Sequence, residues 1–437
     1  MLCVVMKNNF FDFLESRGFI HQSTDKESIR KLLAEEVCKG YIGFDCTSDS
    51  LHVGSLLPLM ILRNFQKFGH KPIILIGGGT TLIGDPSGKD ETRKILTKDE
   101  IDSNKKKLKK IFEKFVSFDK KLSNCASIVD NYDWLMQLKF IPFLREVGSK
   151  FSVNKMINLE SSKIRLEREQ HLSFLEFNYS VLQAYDFVEL FNTFKCKIQF
   201  GGSDQWGNII SGIELAKKMI NTTLFGVTTP LITTSTGQKM GKTANGAIWL
   251  SKDKLKIIDF WQFWRNTSDS DVFRFLNFFT DLESKEIDKL RDSNKDINEL
   301  KIILANEVTK ICHSEKDSNN AEKEASVLLT KGDVDFSTIE NCEKKISINE
   351  KAITNGFSLK AALIKLELSS SNGESKRLIS QGAVKLNENV IVNKEEIIRI
   401  DMFKAVSNEN NKKFLVVYVG KKNYGSNVSG SGGVHAE

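Results

Sequence analysis

The chain has 437 residues, of which 40% are hydrophobic and 27% charged, with a formal net charge of +7 at pH 7. This length predicts two or three domains, and the composition is that of an ordinary globular protein. The longest apolar runs are strand-sized, the amino terminus lacks a signal-peptide pattern, and the seven cysteines include no Cys-x-x-Cys pair. We therefore expect a cytoplasmic protein with reduced thiols, no transmembrane segment and no metal site of its own.

The first 250 residues alternate short apolar strands with amphipathic stretches, a pattern typical of a parallel sheet with crossover helices. A charged, weakly periodic stretch interrupts this pattern at Ser149–Gln170, and it leads into a predicted helix at Tyr179–Phe194. We predict an α/β fold with a Rossmann-like catalytic domain over residues 1–250. Its clearest strand candidates are Tyr41–Asp45, Pro72–Gly78, Ala126–Asn131 and Lys197–Gly201.

The rest of the chain changes character three times. Residues 251–331 have helical periodicity and many aromatic side chains, which predicts a helical domain with those aromatics in its core. Residues 332–356 are polar and rich in lysine and glutamate, and we interpret them as a linker. Residues 357–424 form a second compact unit of the α+β type, and the Gly-Ser segment at 425–437 is predicted to be a disordered tail.

The first candidate for chemistry follows the first strand, where a polar turn containing Thr47 leads into His52-Val53-Gly54-Ser55 and an apolar helix. A strand, a turn and a helix start place backbone N–H groups and a positive dipole end where a phosphate can bind. A histidine that merely caps a helix is the alternative interpretation of this segment.

A second candidate lies at residues 233–243, where hydroxyls and glycines accompany Lys239 and Lys242. A loop with two ammonium groups can fold over a triphosphate and neutralise charge that develops during reaction. A solvated lysine turn is the alternative. The segment is not a P-loop, because Thr236 stands where that motif requires glycine, and no Gly-x-Gly-x-x-Gly opens a helix elsewhere in the chain.

Between these two segments lies a third group. Asp85 and Gly202-Ser203-Asp204-Gln205 follow two predicted strands, whose carboxyl ends meet at one edge of a parallel sheet. Tyr179, Gln183 and Asp186 recur at intervals of four and three on one helical face. Buried polar groups need partners, and a ligand supplies them if the fold does not. The sequence therefore predicts a binding site at this edge.

Taken together, these segments resemble the bacterial tyrosyl-tRNA synthetase family of class I aminoacyl-tRNA synthetases, from about Tyr41 to Lys422. His52–Ser55 looks like the HIGH signature of that class, and Lys239–Thr243 looks like its KMSKS signature. More specific strings occur in the family's order, at residues 43–45, 84–88, 182–187 and 201–208. The resemblance implies a tyrosine–tRNA ligase that uses ATP, L-tyrosine and tRNA(Tyr), works as a homodimer and takes Mg²⁺ with its ATP.

The resemblance also implies roles for individual residues. Tyr41 and Asp186 would bind the phenol hydroxyl. The rest of the tyrosine site would be Asp85, Tyr179 and Gln183 on the ammonium group and Gln205 near the carboxylate. The ATP site would comprise Asp45, Thr47, His52, Gly54, Ser55, Gly202, Asp204, Lys239 and Lys242. The phosphates would be contacted by Thr47, His52, Lys89, Arg93, Lys239, Lys242 and Thr243.

Two positions depart from the family pattern. Ser55 stands where the first signature usually has a second histidine, and Gly241 and Thr243 stand where the second usually has serines. Ser55 retains a hydrogen-bonding group, so we expect altered ATP affinity rather than inactivity.

The carboxy-terminal unit resembles a small RNA-binding domain shared with a ribosomal protein. Lys376, Arg377 and Lys385 are its candidate phosphate contacts, with a solvated basic face as the alternative. Three other functions stay open at this point: a tryptophanyl-tRNA synthetase, a small nucleotidyltransferase, and a non-catalytic RNA-binding descendant of a synthetase. The pairing of Tyr41 with Asp186 favours a phenolic substrate over the first of these.

Overall fold

A computed structural model describes residues 9–85, 96–233, 240–243, 246–293, 295–329, 345–347, 353, 356–387, 389–405, 413–419 and 423–429. The chain divides into two compact units, Met1–Ser318 and Asn319–Glu437. This division leaves residues 251–318 in the same unit as the first 250 residues. The finer domain borders that we infer from the sequence remain predictions.

The first unit is built on a mostly parallel sheet in the strand order β1-β6-β5-β2-β3-β4, in which only β1 runs antiparallel to its neighbour. The four predicted strands are confirmed to within a residue or two at each end. The strands are β1 Gln22–Ser23, β2 Lys39–Asp45, β3 Lys71–Gly77, β4 Ser127–Asp130, β5 Ile198–Gly202 and β6 Phe225–Thr229. A separate hairpin pairs β7 Lys242–Thr243 with β8 Gly246–Ala247.

Helices connect the parallel strands. The helices that precede and cross the sheet are α1 Phe10–Ser16, α2 Lys26–Glu35, α3 Leu56–Lys67 and α4 Lys98–Phe112. Short helices fill the interval between β4 and β5: α5 Tyr132–Leu135, α6 Phe140–Glu146, α7 Val153–Ile157, α8 Glu160–Glu167 and α9 Phe174–Phe177. The long helices beside β5 are α10 Tyr179–Phe194 and α11 Trp206–Ile220. Short 3₁₀ turns occur at Val53–Ser55, Thr80–Leu82, Gly148–Lys150 and Ser203–Gln205.

Local sequence explains where these helices begin and end. The Thr97 hydroxyl and the Glu100 carboxylate cap the start of α4 reciprocally, which satisfies two backbone N–H groups. Helix α10 has the predicted bounds and ends at Lys195, whose φ of 58° is left-handed. The charged stretch at 149–170, which we interpret from its weak periodicity as a loop or short helices, forms short helices.

The remaining helices of this unit pack through aromatic side chains, as predicted. Phe260, Trp264 and Phe279 are fully buried, and the Trp264 ring lies 5.1 Å from that of Phe279. Phe263 and Phe273 are only half-buried. The helices are α12 Ile257–Arg265, α13 Val272–Phe279, α14 Ser284–Asp292 and α15 Ile297–Cys312, with a 3₁₀ turn at Asp269–Asp271. Helix α16 Glu315–Leu329 begins in this unit and continues past its boundary at Ser318.

In its described residues, the second unit combines strands and helices around a core of its own, which includes Leu359, Ile379, Val384, Leu415 and Val417. Its sheet has the order β12-β11-β15-β16-β9, with β14 against β15, and β10 pairs separately with β13. The elements are β9 Lys345–Ser347, β10 Phe357–Ser358, α17 Leu359–Lys365, α18 Asn372–Ser380, β11 Val384–Leu386, β12 Asn389–Ile391, β13 Ile397–Ile398, a 3₁₀ turn Ile400–Met402, β14 Lys404–Ala405, β15 Lys413–Val419 and β16 Asn423–Ser429.

Two segments of this unit differ from the sequence interpretation. Strand β16 occupies part of the segment that we predict to be a disordered tail, and β9 lies inside the predicted linker. The reason is backbone pairing: β16 forms an antiparallel ladder with the apolar strand β15, and β9 adds to its other edge in parallel. Such a ladder needs no apolar side chains of its own.

Two further findings concern membrane-spanning helices and cysteines. Among the described residues, no helix combines the length and the apolar character that crossing a bilayer requires. Cys38, Cys46, Cys125, Cys196 and Cys312 are free thiols.

Candidate active site

A cavity of about 780 Å³ opens at the carboxyl edge of the parallel sheet, beyond the ends of β2, β3 and β5. Ligands of open α/β sheets bind at this edge. The cavity brings together most of the site residues that we predict from the sequence. Its lining includes Tyr41, Asp45, Thr47, His52, Gly54, Ser55, Asp85, Tyr179, Gln183, Asp186, Gly202, Asp204 and Gln205.

Other predicted residues are not placed in this cavity. Lys89, Arg93 and Lys239 lie outside the described residues. For Lys242 and Thr243 only the backbone is described, as strand β7. Lys376, Arg377 and Lys385 belong to the second unit, where all three are exposed.

Asp186 is a deeply buried acid of the cavity wall. It lies on α10 and is 1% exposed, with Oδ1 accepting a hydrogen bond from Trp134 Nε1 at 2.8 Å and Oδ2 accepting one from Asn131 Nδ2 at 2.9 Å. Burial raises the pKa of the Asp186 carboxyl to about 7, although these two hydrogen bonds favour its ionised form. The group therefore titrates near neutral pH in the ligand-free protein.

Asn131 and Trp134 contact Asp186, and the sequence interpretation missed both. Asn131 is 1% exposed, and its Oδ1 accepts a hydrogen bond from Gly79 N at 2.8 Å, which fixes the amide that faces Asp186. Trp134 lies on α5, a helix of only four residues, which is too short to show a helical period in the sequence. The available signal was the polar pair Asp130-Asn131 at the end of the predicted strand Ala126–Asn131.

Two polar atoms of the cavity wall are buried without a hydrogen-bond partner among the described residues: Tyr41 Oη and Gln199 Oε1. These residues face each other in register on β2 and β5. Burial raises the pKa of Tyr41 well above its usual value, so its hydroxyl stays protonated and can donate. Because a buried unpaired polar group costs about 1–3 kcal/mol, these atoms favour a ligand that bears a polar group. Gln199 was also missed, although it is the one amide in an otherwise apolar strand.

A second polar layer surrounds Asp45 at the end of β2. Its Oδ2 accepts a hydrogen bond from Tyr179 Oη at 3.0 Å, and its Oδ1 accepts one from Thr80 Oγ1 at 2.9 Å. Burial, followed by the charge of Asp45, raises the pKa of Tyr179 well above its usual value. Tyr179 is therefore a neutral donor held between α10 and the sheet.

A chain of amides links the loop after β3 to the loop after β5. Gln205 Nε2 donates to Asp85 Oδ2 at 3.0 Å, and Asn208 Nδ2 donates both to Gln205 Oε1 at 3.1 Å and to Gln183 Oε1 at 3.0 Å. This chain orients the polar atoms of Asp85, Gln183 and Gln205 together. Asn208, on α11, is thus a further residue whose positioning role the sequence did not reveal.

The two signature segments lie against each other. Val53 N donates to Ile248 O at 2.9 Å and Leu250 N donates to Leu51 O at 2.8 Å, which forms a short antiparallel pairing. Gly241 has a φ of 114°, and a Cβ there would lie 2.8 Å from His52 Nδ1. This close approach explains glycine at position 241, where the family signature usually has serine.

Comparisons with known proteins agree with this geometry. The family of class I tRNA synthetases for tryptophan and tyrosine (W and Y) matches residues 33–330. A tyrosine–tRNA ligase from Pelagibacter ubique is 47% identical over 398 residues, which cover 91% of this chain and 95% of that one. The chain belongs to the tyrosine–tRNA ligases of class I. The family, function and enzyme class predicted from the sequence are thereby confirmed.

Further relatives of this tyrosine–tRNA ligase support the same membership. The tyrosine–tRNA ligase of the Wolbachia of Brugia malayi is 47% identical over 420 residues, covering 96% of this chain and 98% of its own. A C-terminally truncated mitochondrial tyrosyl-tRNA synthetase from Aspergillus nidulans has a TM-score of 0.66 at 29% identity, covering 74% of this chain and 94% of its own. The predicted fold class is confirmed, and these relatives favour tyrosine over the tryptophan alternative.

Proposed function

We propose that this tyrosine–tRNA ligase binds tyrosine and ATP side by side in the cavity at the sheet edge, joins them as tyrosyl-adenylate, and transfers tyrosine to tRNA(Tyr). One observation gives the strongest support for tyrosine as the amino-acid substrate. The buried Asp186 and the hydroxyl of Tyr41, which has no hydrogen-bond partner among the described residues, lie in the wall of one cavity, as a phenolic substrate requires.

The phenol hydroxyl would donate to Asp186 and accept from Tyr41 Oη. Both groups are already fixed, Asp186 by Asn131 and Trp134 and the Tyr41 ring by packing 5.2 Å from that of Phe187. Because little has to be ordered on binding, the hydroxyl's hydrogen bonds contribute most of their free energy to affinity. A substrate without the hydroxyl would leave buried groups unpaired.

The amino-acid head group would lie nearer the cavity mouth. Asp85, Tyr179 and Gln183 would hold its ammonium group, and Gln205 would hold its carboxylate near the α-phosphate. The amide chain from Gln205 to Asp85 supports this proposal, since it brings carboxylate and amide oxygens into one place. Oxygen acceptors of this kind suit an ammonium ion.

ATP would occupy the opposite part of the cavity, with its ribose at Gly202 and Asp204 and its phosphates at the start of the helix after His52. Asp45, Thr47, Gly54 and Ser55 would complete the nucleotide site. The phosphates would also be contacted by Lys89, Arg93, Lys239, Lys242 and Thr243. Mg²⁺ would enter as the counter-ion of ATP; within the part of the chain that the structure describes, no three His, Cys, Asp or Glu side chains cluster as a metal site.

The chemistry requires positioning and charge stabilisation rather than proton transfer. A tyrosine carboxylate oxygen attacks the α-phosphorus, the new O–P bond forms, and the bond to pyrophosphate breaks. The carboxylate is already a nucleophile, so the barrier falls through in-line placement and through cations on the leaving phosphates. In the second step a terminal ribose hydroxyl of tRNA attacks the adenylate carbonyl and releases AMP.

The second unit would contact the tRNA backbone through Lys376, Arg377 and Lys385. All three side chains are exposed, Lys376 and Arg377 on α18 and Lys385 on β11. Contacts of this kind position an RNA without reading its sequence. We place the enzyme in the cytoplasm, where tRNA charging supplies protein synthesis.

We also propose that the enzyme is a homodimer. Large apolar side chains remain exposed on α6 to α9, among them Phe140 at 65%, Ile141 at 63%, Val153 at 62% and Phe174 at 71%. Monomers seldom expose so many large apolar groups in one stretch of chain. Burying them against a second copy would remove this surface from water.

The dimer proposal is tested by mass in solution. Analytical ultracentrifugation at micromolar concentration is expected to give twice the chain mass, and Phe140→Asp with Phe174→Asp to shift the protein to monomer. Lys139→Asp is the control: it makes the same change in net charge as the double variant and lies next to Phe140. It should leave the dimer intact. A monomeric unaltered protein would refute the proposal.

The activity itself is tested by ATP–pyrophosphate exchange without tRNA, measured with each of the twenty amino acids. Every described residue of the proposed adenylation site precedes Ser251, so exchange is expected with tyrosine and at a far lower rate with phenylalanine and tryptophan. Exchange that depends on tryptophan alone, or on no amino acid, would show that the assignment is wrong.

A further inference from the structure

Asp49 occupies a position between the two signature segments that its sequence context does not explain. It lies in the loop between β2 and the 3₁₀ turn at Val53, and its side chain is 25% exposed. Each of its carboxylate oxygens contacts the ammonium group of a different lysine. Lys107 Nζ donates to Oδ2 at 2.8 Å, and Lys254 Nζ forms an ion pair with Oδ1.

The two lysines come from different parts of the molecule. Lys107 stands on α4, whereas Lys254 follows Leu250, the residue at which the backbone pairing with Leu51 ends. Lys254 Nζ also lies 4.7 Å above the centroid of the Trp249 ring. Asp49 therefore joins the loop of the first signature directly to the segment that follows the second.

The segment that Lys254 holds extends to the nucleotide part of the cavity. Trp249 lines the cavity, and its ring lies 6.3 Å from that of His52. Ile248 N donates to Gly241 O at 3.1 Å, so Ile248–Leu250 connects the His52 segment to the backbone of the second signature. A change in the register of this short pairing would move Gly241 away from His52.

We propose that Asp49 is a positioning residue for ATP: its ion pair with Lys254 holds Ile248–Leu250 against Leu51–Val53 and so keeps the second signature beside His52. The inference rests on the proposed function, since it concerns how the ATP part of that site is held together. Asp49 does not contact the reacting atoms in this arrangement, and it acts through the backbone pairing.

The physical basis is that an ion pair stabilises a short backbone pairing. Two backbone hydrogen bonds alone hold such a segment weakly, and a partly shielded ion pair at its end adds to its stability. Hydrogen bonds from Lys107 and Lys254 lower the pKa of Asp49 to about 2, so the carboxylate stays charged throughout the enzyme's working range. Lys107 makes the same kind of contact with the same carboxylate but holds no part of the second signature.

That difference supplies a matched control. Lys254→Met and Lys107→Met each remove one ammonium group from Asp49, yet only the first releases the signature segment. In full-length protein, Lys254→Met is expected to raise the KM for ATP in tyrosine-dependent pyrophosphate exchange about fivefold, the size of one partly exposed ion pair. The KM for tyrosine should stay within about twofold in both variants, and Lys107→Met should leave the KM for ATP within about twofold.

Asp49→Asn completes a double-mutant cycle. If the ion pair is the cause, Asp49→Asn combined with Lys254→Met should raise the KM for ATP no more than the larger single effect. An equal effect of Lys107→Met, additive effects in the cycle, or an equal rise in the KM for tyrosine would overturn the proposal. Lys254 is partly exposed, so its variant tests the idea even if Asp49→Asn fails to fold. Tyrosine-dependent exchange by the unaltered protein shows separately whether the proposed function holds.

Discussion

Alanine in place of Asp186 is expected to lower kcat/KM for tyrosine in pyrophosphate exchange by about 100-fold or more, with the fold retained. The change removes the acceptor for the substrate hydroxyl and leaves Asn131 and Trp134 without their partner. Each buried polar group left unpaired costs about 1–3 kcal/mol, and 1.4 kcal/mol is tenfold in rate. The KM for ATP should change little, because the nucleotide binds elsewhere in the cavity.

Glu189→Ala is the control for this experiment. Glu189 lies on the same helix, less than one turn beyond Asp186, but its side chain accepts from Thr193 and does not line the cavity. Circular dichroism should show that both variants are folded. Undiminished tyrosine activation by a folded Asp186→Ala variant would mean that another residue binds the hydroxyl.

The pKa of Asp186 adds a pH dependence to the same prediction. A carboxyl with a pKa of about 7 is largely protonated at pH 6 and largely ionised at pH 8. Since an ionised acceptor makes the stronger hydrogen bond, the KM for tyrosine should fall across this range in the unaltered enzyme. Asp186→Asn cannot titrate, so its weaker binding should show no such fall between pH 6 and pH 8.

A chain that ends at Thr330 is expected to keep tyrosine-dependent pyrophosphate exchange within about threefold of the full chain while tRNA charging falls by about 100-fold or more. The described cavity residues all precede Ser251, whereas Lys376, Arg377 and Lys385 belong to the removed unit. Exchange and aminoacylation measured on the same truncated protein separate the two steps. Normal charging would give the second unit another role, and loss of both activities would mean that it supports folding of the first.

A full-length variant with Lys376, Arg377 and Lys385 changed to glutamine refines the truncation. It keeps the second unit and removes only three positive charges. If these lysines and arginine contact phosphates, tRNA affinity should fall and should depend less steeply on salt than in the unaltered enzyme. Unchanged salt dependence would show that the exposed basic side chains are merely solvated.

Local patterns were enough to predict the scaffold of the site. Strand-sized apolar runs followed by polar turns place Asp45, Asp85 and Gly202 at one sheet edge, because parallel strands end on the same side. The spacing of Tyr179, Gln183 and Asp186 likewise fixed one face of α10. These inferences need only the periods of strand and helix, which the sequence displays directly.

The partners of those residues could not be predicted in the same way. Trp134 reaches Asp186 from a short helix without periodicity, and Lys254 reaches Asp49 across the whole catalytic part of the chain. Such contacts depend on the three-dimensional arrangement of loops, which the local periodicity of the sequence does not show. Strand β16 was missed for a related reason, since its pairing with β15 satisfies the backbone whatever its side chains are.

The pairing of Leu51–Val53 with Ile248–Leu250 also bears on how the protein is made. Contacts between segments far apart in sequence form late in folding, because a long loop must close before they yield any stabilisation. During synthesis the first signature leaves the ribosome long before its partner segment exists. The parallel strands β2 to β6 can assemble in that interval, but the nucleotide end of the cavity cannot. The nascent enzyme therefore completes its ATP site only after residue 250 has been translated and released.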